Sequence, residues 1–145
     1  MNLVQEILYE LLVDFAPASL LCVTTGAAPS AVSQYLAHHE ASRVTVLEPD
    51  AARTALADLG RFDYAVLSHA LEPLEPSEGA ALIARIRDMH CHRFALACRH
   101  TDAHHREGEW SEPELLALAL TLHRRVREDG VWRSVYPYAV DTSNS

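Results

Sequence analysis

The chain has 145 residues, 49% of them hydrophobic, and a formal charge of −8 at pH 7. A chain this long buries about 70% of its unfolded surface, so one domain with its own core needs neither disulfide nor metal. All twelve basic residues are arginine, which excludes lysine chemistry such as Schiff bases or a P-loop lysine, and the acidic balance argues against nonspecific nucleic-acid binding.

Residues 2–15 read as an amphipathic helix. Leu3, Ile7 and Leu11 form one stripe, Val4, Leu8 and Leu12 widen it, and Glu6 and Glu10 lie opposite. Ala16-Pro17-Ala18 ends it. Ser19–Thr25 is nearly unbroken apolar sequence, the mark of a strand buried on both faces of a parallel sheet. Gly26-Ala27-Ala28-Pro29 is a turn, and Ser30 is expected to cap a helix to about His39. Arg43–Leu47 is the second strand. Asp50 then caps a predicted helix over 51–59, which Gly60 closes.

Phe62–Leu67 is the third strand and runs without a break into Ser68-His69-Ala70-Leu71-Glu72-Pro73-Leu74. Ser77 is expected to cap a helix to Met89 with Leu82, Ile83 and Ile86 inward, and Arg93–Cys98 is the fourth strand. Residues 99–110 are polar and histidine-rich. Ser111-Glu112-Pro113-Glu114 reads as a capping box launching a helix to about Glu128, with Arg124, Arg125 and Arg127 complementing its carboxyl-end dipole. Val131–Val140 is the last strand. Its Pro137 suits an edge strand, and 141–145 reads as a loose tail.

Strands alternating with helices through short loops give a single α/β domain: three layers, a mostly parallel Rossmann-like sheet of about five strands, and helices on both faces. Ligands of such sheets bind outside the carboxyl ends of the strands. Three ends matter here: Thr24-Thr25-Gly26, Glu48, and Ser68-His69. A carboxylate placed like Glu48 can accept both hydroxyls of a ribose; the same residue also suits a solvated loop start.

Strand, turn, helix, strand and Glu48, followed by Phe62-Asp63-Tyr64-Ala65-Val66-Leu67-Ser68-His69-Ala70-Leu71-Glu72-Pro73-Leu74, resembles the core of class I S-adenosylmethionine-dependent methyltransferases. The resemblance covers roughly residues 1–100. It implies that Glu48 holds the ribose, that Thr24, Thr25 and Gly26 line the methionine side, and that Ser68 and His69 face the methyl donor, with His69 the candidate catalytic residue. S-adenosylmethionine is the cofactor it implies. The chain departs from the family in its first loop, where Thr24–Pro29 holds one glycine instead of several. It also holds no strand between Glu48 and Phe62, where the family has the strand whose end contacts adenine, and little insertion that could form a lid.

Metal-ligand residue types cluster at His90-Cys91-His92 and at Cys98, His100, Asp102, His104 and His105. The fourth strand separates the two groups by about 20 Å at ~3.3 Å per residue, so they cannot share one ion. His100, Asp102 and His104 are the candidate metal ligands; the alternative is solvated loop histidines. Trp110, Trp132, Tyr136 and Tyr138 read as core or, if exposed together, as a homodimer interface. Cys22, Cys91 and Cys98 contain no C-x-x-C pair and read as reduced thiols of a cytoplasmic protein. Residues 1–15 lack a basic segment, so no secretory leader is expected, and no apolar run nears the ~20 residues of a membrane span. The functional expectation is a methyltransferase-like interaction or nucleoside-binding module without full methyltransferase activity. A minimal methyltransferase for a small acceptor and a histidine-ligated metal protein are the alternatives.

Overall fold

A computed structural model describes residues 3–71, 73–91, 93–101, 110–111, 124–128 and 131–139. Helix α1 (Leu3–Phe15) precedes β1 (Ser19–Thr24), α2 (Ser30–His38), β2 (Arg43–Leu47) and α3 (Pro49–Ala55). A 3-10 turn (Leu56–Asp58) leads to β3 (Tyr64–Ser68), α4 (Pro76–Arg85), a π-helical turn (Ile86–His90) and β4 (Arg93–Thr101). The two-residue β5 (Trp110–Ser111), then β6 (Arg124–Glu128) and β7 (Val131–Ala139), complete the described elements. None of the described helices is long and apolar enough to cross a membrane.

The sheet order is β2-β1-β3-β4-β7-β6, with β5 beside β4. Strands β2, β1, β3 and β4 are parallel, and β7 is antiparallel to both β4 and β6. The central strands β1 and β3 are buried on both sides, as their continuous apolar sequence requires. One face packs α1 and α2 through Leu8, Leu12, Val32 and Tyr35 onto Leu20, Cys22, Tyr64 and Val66. The other packs α3, the 3-10 turn and α4 through Ala52, Leu56, Leu82 and Ile83 onto Leu21, Val23, Ala65, Leu67 and Phe94. This is the three-layer α/β arrangement expected from the sequence. The described residues form seven strands rather than about five, because residues 110–111 and 124–128 also pair.

Several local expectations are corrected. Arg124–Glu128 is not the end of a helix: Arg124 pairs with Val135 and Glu128 with Val131 in a hairpin. Arg124, Arg125 and Arg127 therefore complement no helix dipole. Pairing with the adjacent β7 has overridden helix propensity, as cross-strand packing commonly does. The expected capping box at Ser111–Glu114 begins in β5, and residues 112–123 lie outside the described residues. Pro137 lies in an interior strand, not an edge strand, but the register of β6 stops at Val135, so β6 does not reach it.

The helix starts shift as well. Ser30 and Asp50 lie inside the first turns of α2 and α3, whose N-caps are Pro29 and Glu48. Ser77 lies inside α4, behind Pro76 and the N-cap Glu75. The Glu75 amide donates to Glu78 Oε1 at 3.2 Å, the returning half of a capping box. Glu78 also pairs with Arg53 of α3.

Candidate functional site

The carboxyl ends of β1, β2 and β3 lie side by side because their registers align. Thr24 pairs with Ser68, and Val23 with Leu47, so Glu48 follows directly at the same edge. Thr24 and Ser68 are 4% and 2% exposed, while Thr25 and Gly26 stand out into solvent. The Thr25 hydroxyl donates to the His69 carbonyl at 3.1 Å, and the His69 amide donates to the Ala97 carbonyl at 3.1 Å. The loops after β1 and β3 are thus tied to each other and to β4.

Two residues at this edge adopt left-handed backbone. Gly26 has φ +85°, and a Cβ added there would meet nothing within 4 Å. Its conformation, not crowding, calls for glycine, and among the described residues nothing crowds it. His69 has φ 54°, uncommon for a residue with a side chain and held by the two hydrogen bonds just described. Its side chain is half-buried.

Glu48 is exposed. Its carbonyl accepts from the Ala52 amide at 2.8 Å, while its side chain makes no capping hydrogen bond with α3. The edge therefore carries an exposed carboxylate, a half-buried imidazole and the exposed Thr25 hydroxyl beside Gly26, with the Thr24 and Ser68 side chains buried beneath it.

Sequence reasoning missed two contributors. Gln5, on the flank of the apolar stripe of α1, accepts the Ala31 amide through Oε1 at 3.0 Å. It caps the start of α2, the helix that follows the Gly26 loop, and so occupies one amide there. Asp63, the acid of the Phe62-Asp63 pair, works at the opposite end of the sheet. Its Oδ2 accepts the Ala18 and Ser19 amides at 2.9 and 3.2 Å, and its own amide donates to Ser19 Oγ at 2.9 Å. No sequence signal identifies Gln5, since its partner is 26 residues away. Asp63 immediately before a buried strand could have suggested a strand-start clamp.

Of the histidine and cysteine groups, His90 and Cys91 are described with their side chains. His90 is buried just before β4; its Nδ1 donates to the Gly60 carbonyl at 2.8 Å, and its Nε2 is buried with no partner among the described residues. Cys22 and Cys91 are buried free thiols, each pushed up to about 12 by desolvation. Burial likewise pushes the Tyr64 phenol up to about 12, the Arg93 guanidinium acting in the opposite direction. Among the described residues no three His, Cys, Asp or Glu side chains converge on a metal position. His100 is described through the backbone of β4, and Asp102, His104 and His105 lie outside the described residues. Trp110 belongs to β5, and Trp132, Tyr136 and Tyr138 to β7, an interior strand; these too are described through the backbone.

Residues 2–145 match the model of a family described as a family of unknown function (DUF6231). The chain belongs to this family. No curated protein matches the DUF6231 chain. Among solved structures it is similar to the mitomycin 7-O-methyltransferase MmcR at 17% identity and a TM-score of 0.61, covering 94% of this chain and 54% of that one. It is similar to the Burkholderia thailandensis 1,6-didemethyltoxoflavin-N1-methyltransferase, with bound 1,6-didemethyltoxoflavin and S-adenosylhomocysteine, at 19% identity, TM-score 0.61 and coverages of 94% and 79%. The magnesium protoporphyrin IX methyltransferase ChlM of Synechocystis PCC 6803, bound to S-adenosylhomocysteine, matches at 13% identity, TM-score 0.61 and coverages of 97% and 89%. The DUF6231 chain spans about half the length of MmcR and of the pyocyanin biosynthetic protein PhzM. At these identities the similarity establishes a methyltransferase-like fold.

Proposed function

We propose that this DUF6231 chain is a methyltransferase-like module that binds a nucleoside ligand of the S-adenosylmethionine class without carrying out methyl transfer. The observation that carries the reading is the alignment of Thr24, Ser68 and Glu48 at one edge of three adjacent parallel strands. The residues fit such a group. No described residue crowds Gly26, and Glu48 is exposed and uncommitted to its own helix. Glu48 would accept the ribose hydroxyls, Thr25 and Gly26 would border the amino-acid end, and His69 would face the sulfonium, with Ser68 buried behind it. When bound, such a cofactor supplies an electrophilic methyl group. Ala27, Ala28 and Pro29 stand where further glycines would let backbone approach it, and Gln5 occupies an amide of the following helix. Both features take backbone contacts away from the donor's amino-acid end, which disfavours the fixed placement of the methyl group that transfer needs.

A minimal methyltransferase is the second reading, favoured by the half-buried His69 at the same edge. Methyl transfer depends mostly on holding donor and acceptor in line, so a small acceptor bordered by His69 would suffice. Titration calorimetry of the full chain with S-adenosylmethionine and S-adenosylhomocysteine tests both readings. Binding of both ligands, weakened by Glu48→Ala, supports the site, and the absence of heat at about millimolar ligand rejects it. Conversion of the bound S-adenosylmethionine to S-adenosylhomocysteine with a small-molecule extract as acceptor would favour the second reading.

A further inference from the structure

Strand β2 lies at one end of the sheet, with β1 as its only neighbour among the described residues. Between β2 and β3 the chain holds α3 and the 3-10 turn and no further strand. Among the described residues the outer edge of β2 therefore pairs with no other strand, and its outward backbone groups are a template for one. Which groups they are follows from the ladder. The Arg43 amide donates to the Ala18 carbonyl at 2.9 Å, so Arg43, Thr45 and Leu47 address β1. In a parallel pair the direction alternates with each residue, so the N–H and C=O of Val44 and Val46 point outward.

The two ends of the sheet carry very different sequences. The far strand β6 reads Arg-Arg-Val-Arg-Glu, four charges in five residues. Such charge is a usual protection of an edge. Strand β2 reads Arg-Val-Thr-Val-Leu, with no charge, proline or glycine after Arg43, and Val46 is 43% exposed. Val44-Thr45-Val46 has the β-branched composition that favours pairing.

We propose that β2 is a self-association edge, joining a second copy of this chain antiparallel across a two-fold axis through Thr45. Charge selects both the partner and the direction. Arg43 opens the strand, and Glu48 and Asp50 follow its end. Antiparallel pairing brings Arg43 of each copy beside the acidic end of the other, whereas parallel pairing would stack like charges. The outward groups select the register. Val44 faces Val46 of the partner subunit and exchanges two hydrogen bonds with it, and the symmetric pair adds two more. Thr45 then faces its own copy as a non-hydrogen-bonded pair, about 4.5 Å between Cα atoms. The two sheets become one across the dimer. This inference does not rest on the ligand reading.

That spacing lies within the roughly 4.4–6.8 Å a disulfide spans, so Thr45→Cys is the direct probe. Mild oxidation of the full chain should convert Thr45→Cys to a covalent dimer, while Val13→Cys, exposed on α1, and the wild type stay monomeric on denaturing gels. Analytical ultracentrifugation of the wild type should show a concentration-dependent dimer, and Val46→Lys should weaken it at least roughly tenfold. Circular dichroism and the melting transition confirm that each variant is folded. A monomeric wild type across the concentration range, or a folded Thr45→Cys that cross-links no faster than Val13→Cys, overturns the proposal. A dimer indifferent to Val46→Lys does so as well.

Discussion

The Thr25 hydroxyl donates to the carbonyl of His69 at 3.1 Å, joining two loops that are 44 residues apart in sequence. The bond anchors the carbonyl of a residue whose backbone is left-handed, with φ 54°. Thr25→Val removes the donor at similar volume. We expect a loss of about 0.5–1.5 kcal/mol in urea unfolding and weaker S-adenosylhomocysteine binding by calorimetry. Unchanged affinity with reduced stability would assign the bond to folding alone.

His69 itself separates backbone from side chain. Left-handed geometry costs a non-glycine residue roughly 1–2 kcal/mol, while glycine costs roughly 0.5–1 kcal/mol of unfolded-chain entropy. His69→Gly should therefore leave the melting temperature unchanged or raise it slightly, and His69→Val should lower it clearly. If both variants lower it equally, the imidazole rather than the backbone holds the loop.

Glu48 is exposed and makes no capping hydrogen bond, so its removal should leave folding intact. Glu48→Ala should unfold within about 0.5 kcal/mol of wild type. In the same protein S-adenosylmethionine and S-adenosylhomocysteine should bind more weakly by ~1–3 kcal/mol, the cost of leaving ligand hydroxyls unpaired. Equal affinity of the two proteins would remove Glu48 from the site.

Asp63 offers the opposite pattern. Its carboxylate accepts two backbone amides at the amino end of β1, across the sheet from the ligand edge. Asp63→Ala should cost about 1–2 kcal/mol of stability, less than a buried charged hydrogen bond because the group is exposed. Ligand affinity at saturating folded protein should not change, which calorimetry on the two proteins will show.

Stability should fall in alkali. Burial raises Cys22 and Cys91 from 9.0, and Tyr64 from 10.0, to about 12. Above pH 9 the unfolded chain releases these protons while the folded chain keeps them. Folding stability is therefore intact below pH 9 and declines toward pH 12, by up to ~1.4 kcal/mol per pH unit for each group. Urea midpoints between pH 8 and 11 will measure the slope, and Cys22→Ala should flatten it.

The sequence by itself determined the α/β class, the places of β1 to β4 and the polar ends of β1, β2 and β3. Apolar runs such as Leu20–Val23 and Ala65–Leu67 must be buried on both faces, and the residues just past them must then emerge together. Helix starts were less legible, because proline and glutamate displaced Ser30, Asp50 and Ser77 from the capping position by a residue or two. Only tertiary structure decided the hairpin at Arg124–Glu128, where pairing with Val131–Val135 outweighs local helix preference. The same holds for Gln5 on Ala31, Asp63 on Ala18 and Ser19, and Thr25 on His69. Each joins residues far apart in the chain, and a hydrogen bond of that kind has no periodicity to read.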